Sequence, residues 1–122
     1  MDDSRRREIG ERTRRQVLGN AHVDAALANQ SELTAEFQDL LTRYAWGEIW
    51  TRPGLDQRTR RVLVIGTLIA QERWDEFEMH AAAAIAEGGF SRDELKEIVL
   101  QQAIYCGVPA ARAAFNALAR IE

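Results

Sequence analysis

At 122 residues, 46% of them hydrophobic and 29% charged, the chain is long enough for one real core and reads as a single domain over 1–122. A formal net charge of −3 gives no electrostatic case for nucleic acid or an anionic membrane, and no apolar run approaches the ~20 residues of a membrane span. One cysteine, Cys106, excludes an internal disulfide and a CxxC pair, and the absence of a signal-peptide pattern points to a soluble, cytoplasmic protein.

Two prolines, eight glycines and few β-branched runs favour an all-α fold, and the apolar periodicity gives about six helices. Asp2-Asp3-Ser4 caps a charged helix from Arg5 to about Leu18, with a thin apolar stripe at Ile9 and Val17. Its arginines are interleaved with acids, which marks a solvated or subunit-facing helix rather than a polyanion site. Gly19-Asn20 ends it, residues 21–29 read as a short helical turn, and His22, in a polar stretch, reads as surface. Ser31 or Thr34 caps the next helix, which places Phe37, Leu40, Leu41, Tyr44 and Glu48 on one face until Pro53-Gly54 stops it. Leu55 and Asp56 introduce a strongly apolar helix through Val62, Leu63, Ile65, Leu68 and Ile69, the expected centre of the fold. A charged turn near 71–74 precedes Phe77, His80, Ala81, Ala84 and Ile85, and Gly88-Gly89 closes that helix. Ser91-Arg92-Asp93-Glu94 is a capping box. It opens a helix with Leu95, Ile98, Val99, Gln102, Ala103 and Cys106 on one face, and Pro109 begins a last helix carrying Ala113, Phe115 and Leu118.

Two polar residues fall on apolar stripes. Glu48 lies among Tyr44, Trp46 and Trp50, where an ionised carboxylate must be paired or shifted in pKa. A carboxylate in such surroundings is usable as a general acid or base near neutral pH. His80 falls between Phe77 and Ala84. Alone it is as readily a satisfied core histidine; together with Glu48 it makes a proton-transfer pair. Glu76 and His80, four residues apart, are a weak metal pair even with Glu48 added, so no metal is expected. Cys106 and Ser91 are explained as a small core residue and a cap. Arg52, Arg58, Arg60 and Arg61 flank the Pro-Gly turn and suit an anionic small substrate, although at least two are ordinary surface charge.

The run Tyr44-Ala45-Trp46-Gly47-Glu48-Ile49-Trp50-Thr51-Arg52-Pro53-Gly54-Leu55 resembles the carboxymuconolactone decarboxylase family. Arg58-Thr59-Arg60, Glu76-Phe77-Glu78-Met79-His80, Gln102 to Ala111 and Val17 to Asp24 are similar in the same order, so the resemblance spans nearly the whole chain. It implies the alkylhydroperoxidase D-like helical fold and cofactor-free loss of CO2 from 4-carboxymuconolactone in protocatechuate breakdown, giving the 4-oxoadipate enol-lactone. The related peroxidases use two cysteines, a histidine and a glutamate; here Arg73, Glu76 and Arg61 stand where the thiols and the glutamate would, which argues against peroxidase chemistry.

For the decarboxylase the resemblance makes His80 the proton donor and Glu48 its partner, with the two roles exchangeable. Arg58 or Arg60 then binds the acetate side-chain carboxylate of the substrate. Tyr44, Trp46 and Trp50 surround the departing CO2, and Tyr105, His80 or an arginine stabilises the lactone oxyanion. The family also implies a ring-like homo-oligomer, a hexamer built as a trimer of dimers. A related enzyme acting on a different acid and a non-catalytic helical module are the rival readings.

Overall fold

The computed structural model describes residues 1–121 and contains seven α-helices, one π-helical segment and, among the described residues, no strand. The α-helices are α1 (Asp3–Leu18), α2 (Asn20–Ala28), α3 (Ala35–Leu40), α4 (Gln57–Ala70), α5 (Trp74–Ala86), α6 (Arg92–Cys106) and α7 (Val108–Ala119). The π-helical segment, Leu41–Ile49, continues α3 directly. The fold class is as expected, with one α-helix more than the six read from periodicity. No helix among the described residues is long and apolar enough to cross a membrane. The chain folds as two compact units, one from Met1 to Gln57 and one beginning at Arg58.

In the first unit α1 lies against the π-helical segment, and two glycines set the distance. A β-carbon on Gly10 would lie 1.8 Å from the Thr42 carbonyl oxygen, and one on Gly47 would lie 2.3 Å from that of Arg6. Backbone therefore touches backbone, which no larger residue permits. The buried face of α1 is Gly10, Thr13, Arg14, Val17 and Leu18. This corrects the expectation of a thinly apolar, solvated helix.

The π-helical segment also corrects the expected stripe. Its wider turn, seen in the Trp50 amide donating to the Ala45 carbonyl at 3.0 Å, shifts side chains off the 3.6-residue period. Trp46 and Gly47 are the buried residues there, whereas Phe37, Leu40 and Tyr44 are exposed. Phe37 and Leu40 instead line a shallow surface groove with Asp39 and Arg43.

The second unit holds the main apolar core. Ile65 and Ile69 of α4, Phe77, Ala81 and Ala84 of α5, and Leu95 and Val99 of α6 are buried together with Phe90. The alanines Ala110, Ala111, Ala114 and Ala117 line the buried side of α7, where their size allows the helix to come close to α5. The capping box forms as read: Ser91 Oγ accepts from the Glu94 amide at 3.1 Å, and the Glu94 carboxylate accepts from the Ser91 amide at 3.0 Å. Pro109 is the second residue of α7 rather than the first.

Candidate active site

The residues singled out from sequence divide between the units. Tyr44, Trp46, Glu48 and Trp50 belong to the first; Arg58, Arg60, His80 and Tyr105 belong to the second.

Glu48 occupies the last turn of the π-helical segment, half-buried. Its carboxylate is paired: Arg6 of α1 brings Nε to 3.6 Å from Oε2. The glycine contacts explain this meeting, because the β-carbon absent from Gly47 is the one that would strike the Arg6 carbonyl. At that distance the pairing is ionic without a hydrogen bond, so the Glu48 lone pairs remain open to other donors. Arg6 also pairs with Asp3 at 3.3 Å, and its guanidinium lies 5.4 Å from the centre of the Tyr44 ring.

Tyr44 is held in an ionic cluster. Arg43 stacks on it at 5.2 Å, and its hydroxyl donates to Asp3 Oδ1 at 3.3 Å. Arg43 donates to Asp39 at 2.8 Å and to Asp3 at 3.2 Å, while Arg7 donates to Asp39 at 2.7 Å. The hydrogen bond from Arg7, with that from Arg43 behind it, holds the Asp39 carboxyl below the usual carboxylate range. Trp46 and Trp50 form a separate feature, stacked with ring centres 5.0 Å apart and planes 23° from parallel. The expected cage of three aromatics is thus a tryptophan pair, of which Trp46 is buried, and a tyrosine bound into a salt-bridge network.

In the second unit His80 is half-buried in the middle of α5, between the fully buried Phe77 and Ala84. Arg58 is already engaged: its guanidinium pairs with Glu94 and lies 4.0 Å from the centre of the Phe90 ring. Arg60 is half-buried and Tyr105 is 78% exposed at the end of α6. Arg61 is buried against Gly88, where a β-carbon would come within 2.7 Å of its Nε; burial lowers its pKa, opposed by the charge of Glu87. Among the described residues no three His, Cys, Asp or Glu side chains gather as metal ligands do. A groove of about 520 Å³ runs along α4 and α6, lined by Val62, Leu63, Gly66, Ile98 and Gln102 among others, and none of the candidate catalytic or substrate-binding residues lines it.

Two residues of this cluster were not found from sequence: Arg6 and Arg43. The signal for Arg6 was Gly10, a glycine inside an otherwise helix-favouring charged run, which marks a face of close approach rather than a solvated one. His22 is likewise half-buried rather than on the surface, and burial followed by the charge of Arg14 lowers its pKa.

The profile of the carboxymuconolactone decarboxylase family matches residues 35–120. The chain belongs to the carboxymuconolactone decarboxylase family. It is 41% identical over 116 residues to 4-carboxymuconolactone decarboxylase of Acinetobacter baylyi, a match covering 95% of this chain and 86% of that protein. It is 42% identical over 101 residues to nitrosuccinic acid decarboxylase of Metarhizium robertsii, covering 83% of this chain and 70% of that one. A 48-residue stretch, 39% of this chain, is 44% identical to the full length of a 4-carboxymuconolactone decarboxylase sequence from Pseudomonas putida. The family match contains every candidate from Tyr44 to Tyr105.

Proposed function

We propose that this member of the carboxymuconolactone decarboxylase family releases CO2 from 4-carboxymuconolactone to give the 4-oxoadipate enol-lactone, in the cytoplasm, as a step of protocatechuate breakdown (the β-ketoadipate pathway). The observation that carries the reading is the 41% identity with the Acinetobacter enzyme along 95% of the chain. Decarboxylation is common to the functions named for both longer relatives, and both named acids have more than one carboxyl group. The substrate is the finer part of the proposal, because the fungal relative of similar identity is named for a different acid.

The chemistry asks little of the protein. The bond from the lactone γ-carbon to its carboxylate breaks, and the electron pair passes through the conjugated ring to the lactone carbonyl oxygen. The substrate is its own electron sink, so the reading includes no cofactor and no metal. What remains is to hold the lactone, to stabilise the developing oxyanion and to protonate the α-carbon.

His80 is the proposed proton donor, as a group of suitable intrinsic pKa at the edge of the core. Glu48 is the second ionisable group of the reaction, held in place by Arg6. Trp46 and Trp50 supply apolar surface for the departing CO2. Arg58 or Arg60 is proposed to hold the acetate side-chain carboxylate of the substrate, and in the case of Arg58 the pair with Glu94 must open. Tyr105 stays as a proposed donor to the lactone oxyanion, and Tyr44 as part of the aromatic surface around the departing CO2, its hydroxyl being bound to Asp3. The working enzyme is proposed to be a homo-oligomer, a hexamer arranged as a trimer of dimers.

The test is an ultraviolet assay with enzymatically generated 4-carboxymuconolactone. Wild type should turn over, and His80→Ala should lower kcat by about 100-fold or more with a much smaller change in KM. Glu48→Gln, measured alone and with His80→Ala, shows whether the two act as a unit, since cooperating groups are far from additive. A folded wild type that leaves this lactone untouched overturns the substrate, and nitrosuccinic acid is then the next acid to assay.

A further inference from the structure

Arg14 is the last arginine of α1 on its buried side, and it is 6% exposed. Its Nε and Nη1 are sealed from solvent and have no hydrogen-bond partner. The neighbouring carboxylates are committed elsewhere: Arg15 takes Asp24 at 2.8 Å and Glu11 at 3.5 Å. Burial lowers the pKa of Arg14, and the other charge acting on it is the cation Arg15. A guanidinium taken out of water without an anion costs several kcal/mol. The apolar stripe of α1 would be served better by a leucine or methionine at this position.

Gly19, with φ of 89°, turns the chain from α1 into α2. It also leaves α2 without a side-chain cap, so the first amides of the nine-residue helix carry no capping oxygen. His22 lies in that first turn, half-buried and within the field of Arg14. A buried guanidinium, an imidazole that feels its charge and a helix N-terminus without a side-chain cap therefore lie about the turn from α1 to α2. Arginine's planar fork matches a carboxylate bidentately, and a helix N-terminus favours negative charge.

We propose that Arg14, His22 and the first amides of α2 form a carboxylate-binding subsite, which in place of Arg58 or Arg60 takes the carboxylate that the substrate retains. The assignment rests on the decarboxylase reading for the identity of the ligand. It favours the retained group for a physical reason: ion pairing stabilises a carboxylate in the ground state and would oppose loss of its electron pair as CO2 leaves. The retained carboxylate carries no such conflict and can serve as an anchor.

Succinate tests the subsite without any turnover, so a negative result here is separate from an inactive enzyme. The chain has two histidines, His22 and His80, and their ring proton resonances can be followed one against the other. Titrating succinate into the wild-type protein should shift the His22 signal in a saturable way. Arg14→Met should weaken that binding at least tenfold with the melting temperature kept or raised, and Arg14→Lys, which keeps charge and loses the fork, should fall between. With the lactone, Arg14→Met should raise KM more than it lowers kcat. A His22 signal that ignores succinate in the wild type overturns the proposal whatever the variants do. So does equal succinate affinity in Arg14→Met. Loss of the oligomer in Arg14→Met, with no succinate response in wild type, would assign the arginine to a carboxylate of a second copy.

Discussion

Burial at the corner of α1 and α2 strips water from Arg14, and His22 records the consequence in its own titration. Its pKa is lowered from the ordinary 6.5, first by burial and then by the positive charge of Arg14. Between the lowered value and 6.5 the unfolded chain binds a proton that the folded chain refuses, so stability increases with pH across that window. The contribution is complete above about pH 6.5, falls as the pH drops toward the folded pKa and is flat below it. His22→Gln should therefore flatten the decline in urea midpoint between about pH 7 and about pH 5. An unchanged slope in the variant would mean that the acid sensitivity arises elsewhere. Sequence alone was partly informative at this scale. The aromatic run around Glu48 showed a carboxylate in need of a partner, but not that the partner would be Arg6, which reaches it from another helix. His22 read as surface because its sequence neighbours are small or polar; burial and the charge of Arg14, on the other side of the Gly19 turn, both act on it.

At the scale of elements, the signals that could be read were those enforced by local chemistry. The Ser91–Glu94 capping box depends on a few adjacent residues and forms as read, whereas the helix expected to run to Pro53-Gly54 already ends at Ile49. The π-helical segment could not be read, because no local residue pattern demands hydrogen bonds that span five residues. Its register rests on the two glycine contacts, which gives a direct test. In Gly10→Ala the new methyl would lie 1.8 Å from the Thr42 carbonyl oxygen, a backbone atom that cannot swing aside. Separating the helices should cost about 1–3 kcal/mol or more and loosen the Arg6–Glu48 pair, so turnover should fall along with the melting temperature. Gly54→Ala is the control, since nothing lies within 4 Å of its β-carbon position. Equal stability of the two variants would show that the close approach of α1 to the π-helical segment does not hold the site together.

At the scale of the molecule, hydrophobic residues make up 46% of the chain, and much of the excess is on the surface of the second unit. Ile104 is 81% exposed, Tyr105 78%, Val108 63% and Leu100 47%. Leu100, Ile104 and Val108 recur at four-residue spacing where α6 gives way to α7, and the open groove along α4 and α6 adds Val62 and Leu63. Apolar surface of this kind is what a second copy of the chain covers in an oligomer. If it does so here, Ile104→Asp should lower the mass found by light scattering while leaving the helical circular dichroism intact. Wild-type protein that runs as a monomer at micromolar concentration would refute the idea. The same surface bears on Tyr105, which the family resemblance offers as a donor to the substrate. A tyrosine that only covers a subunit boundary acts through its ring, whereas a donor to the lactone oxyanion acts through its hydroxyl. Tyr105→Phe keeps the ring and removes the hydroxyl, so an assembled variant with full kcat places Tyr105 in the oligomer contact. An assembled variant with kcat reduced tenfold or more places its hydroxyl on the reacting molecule.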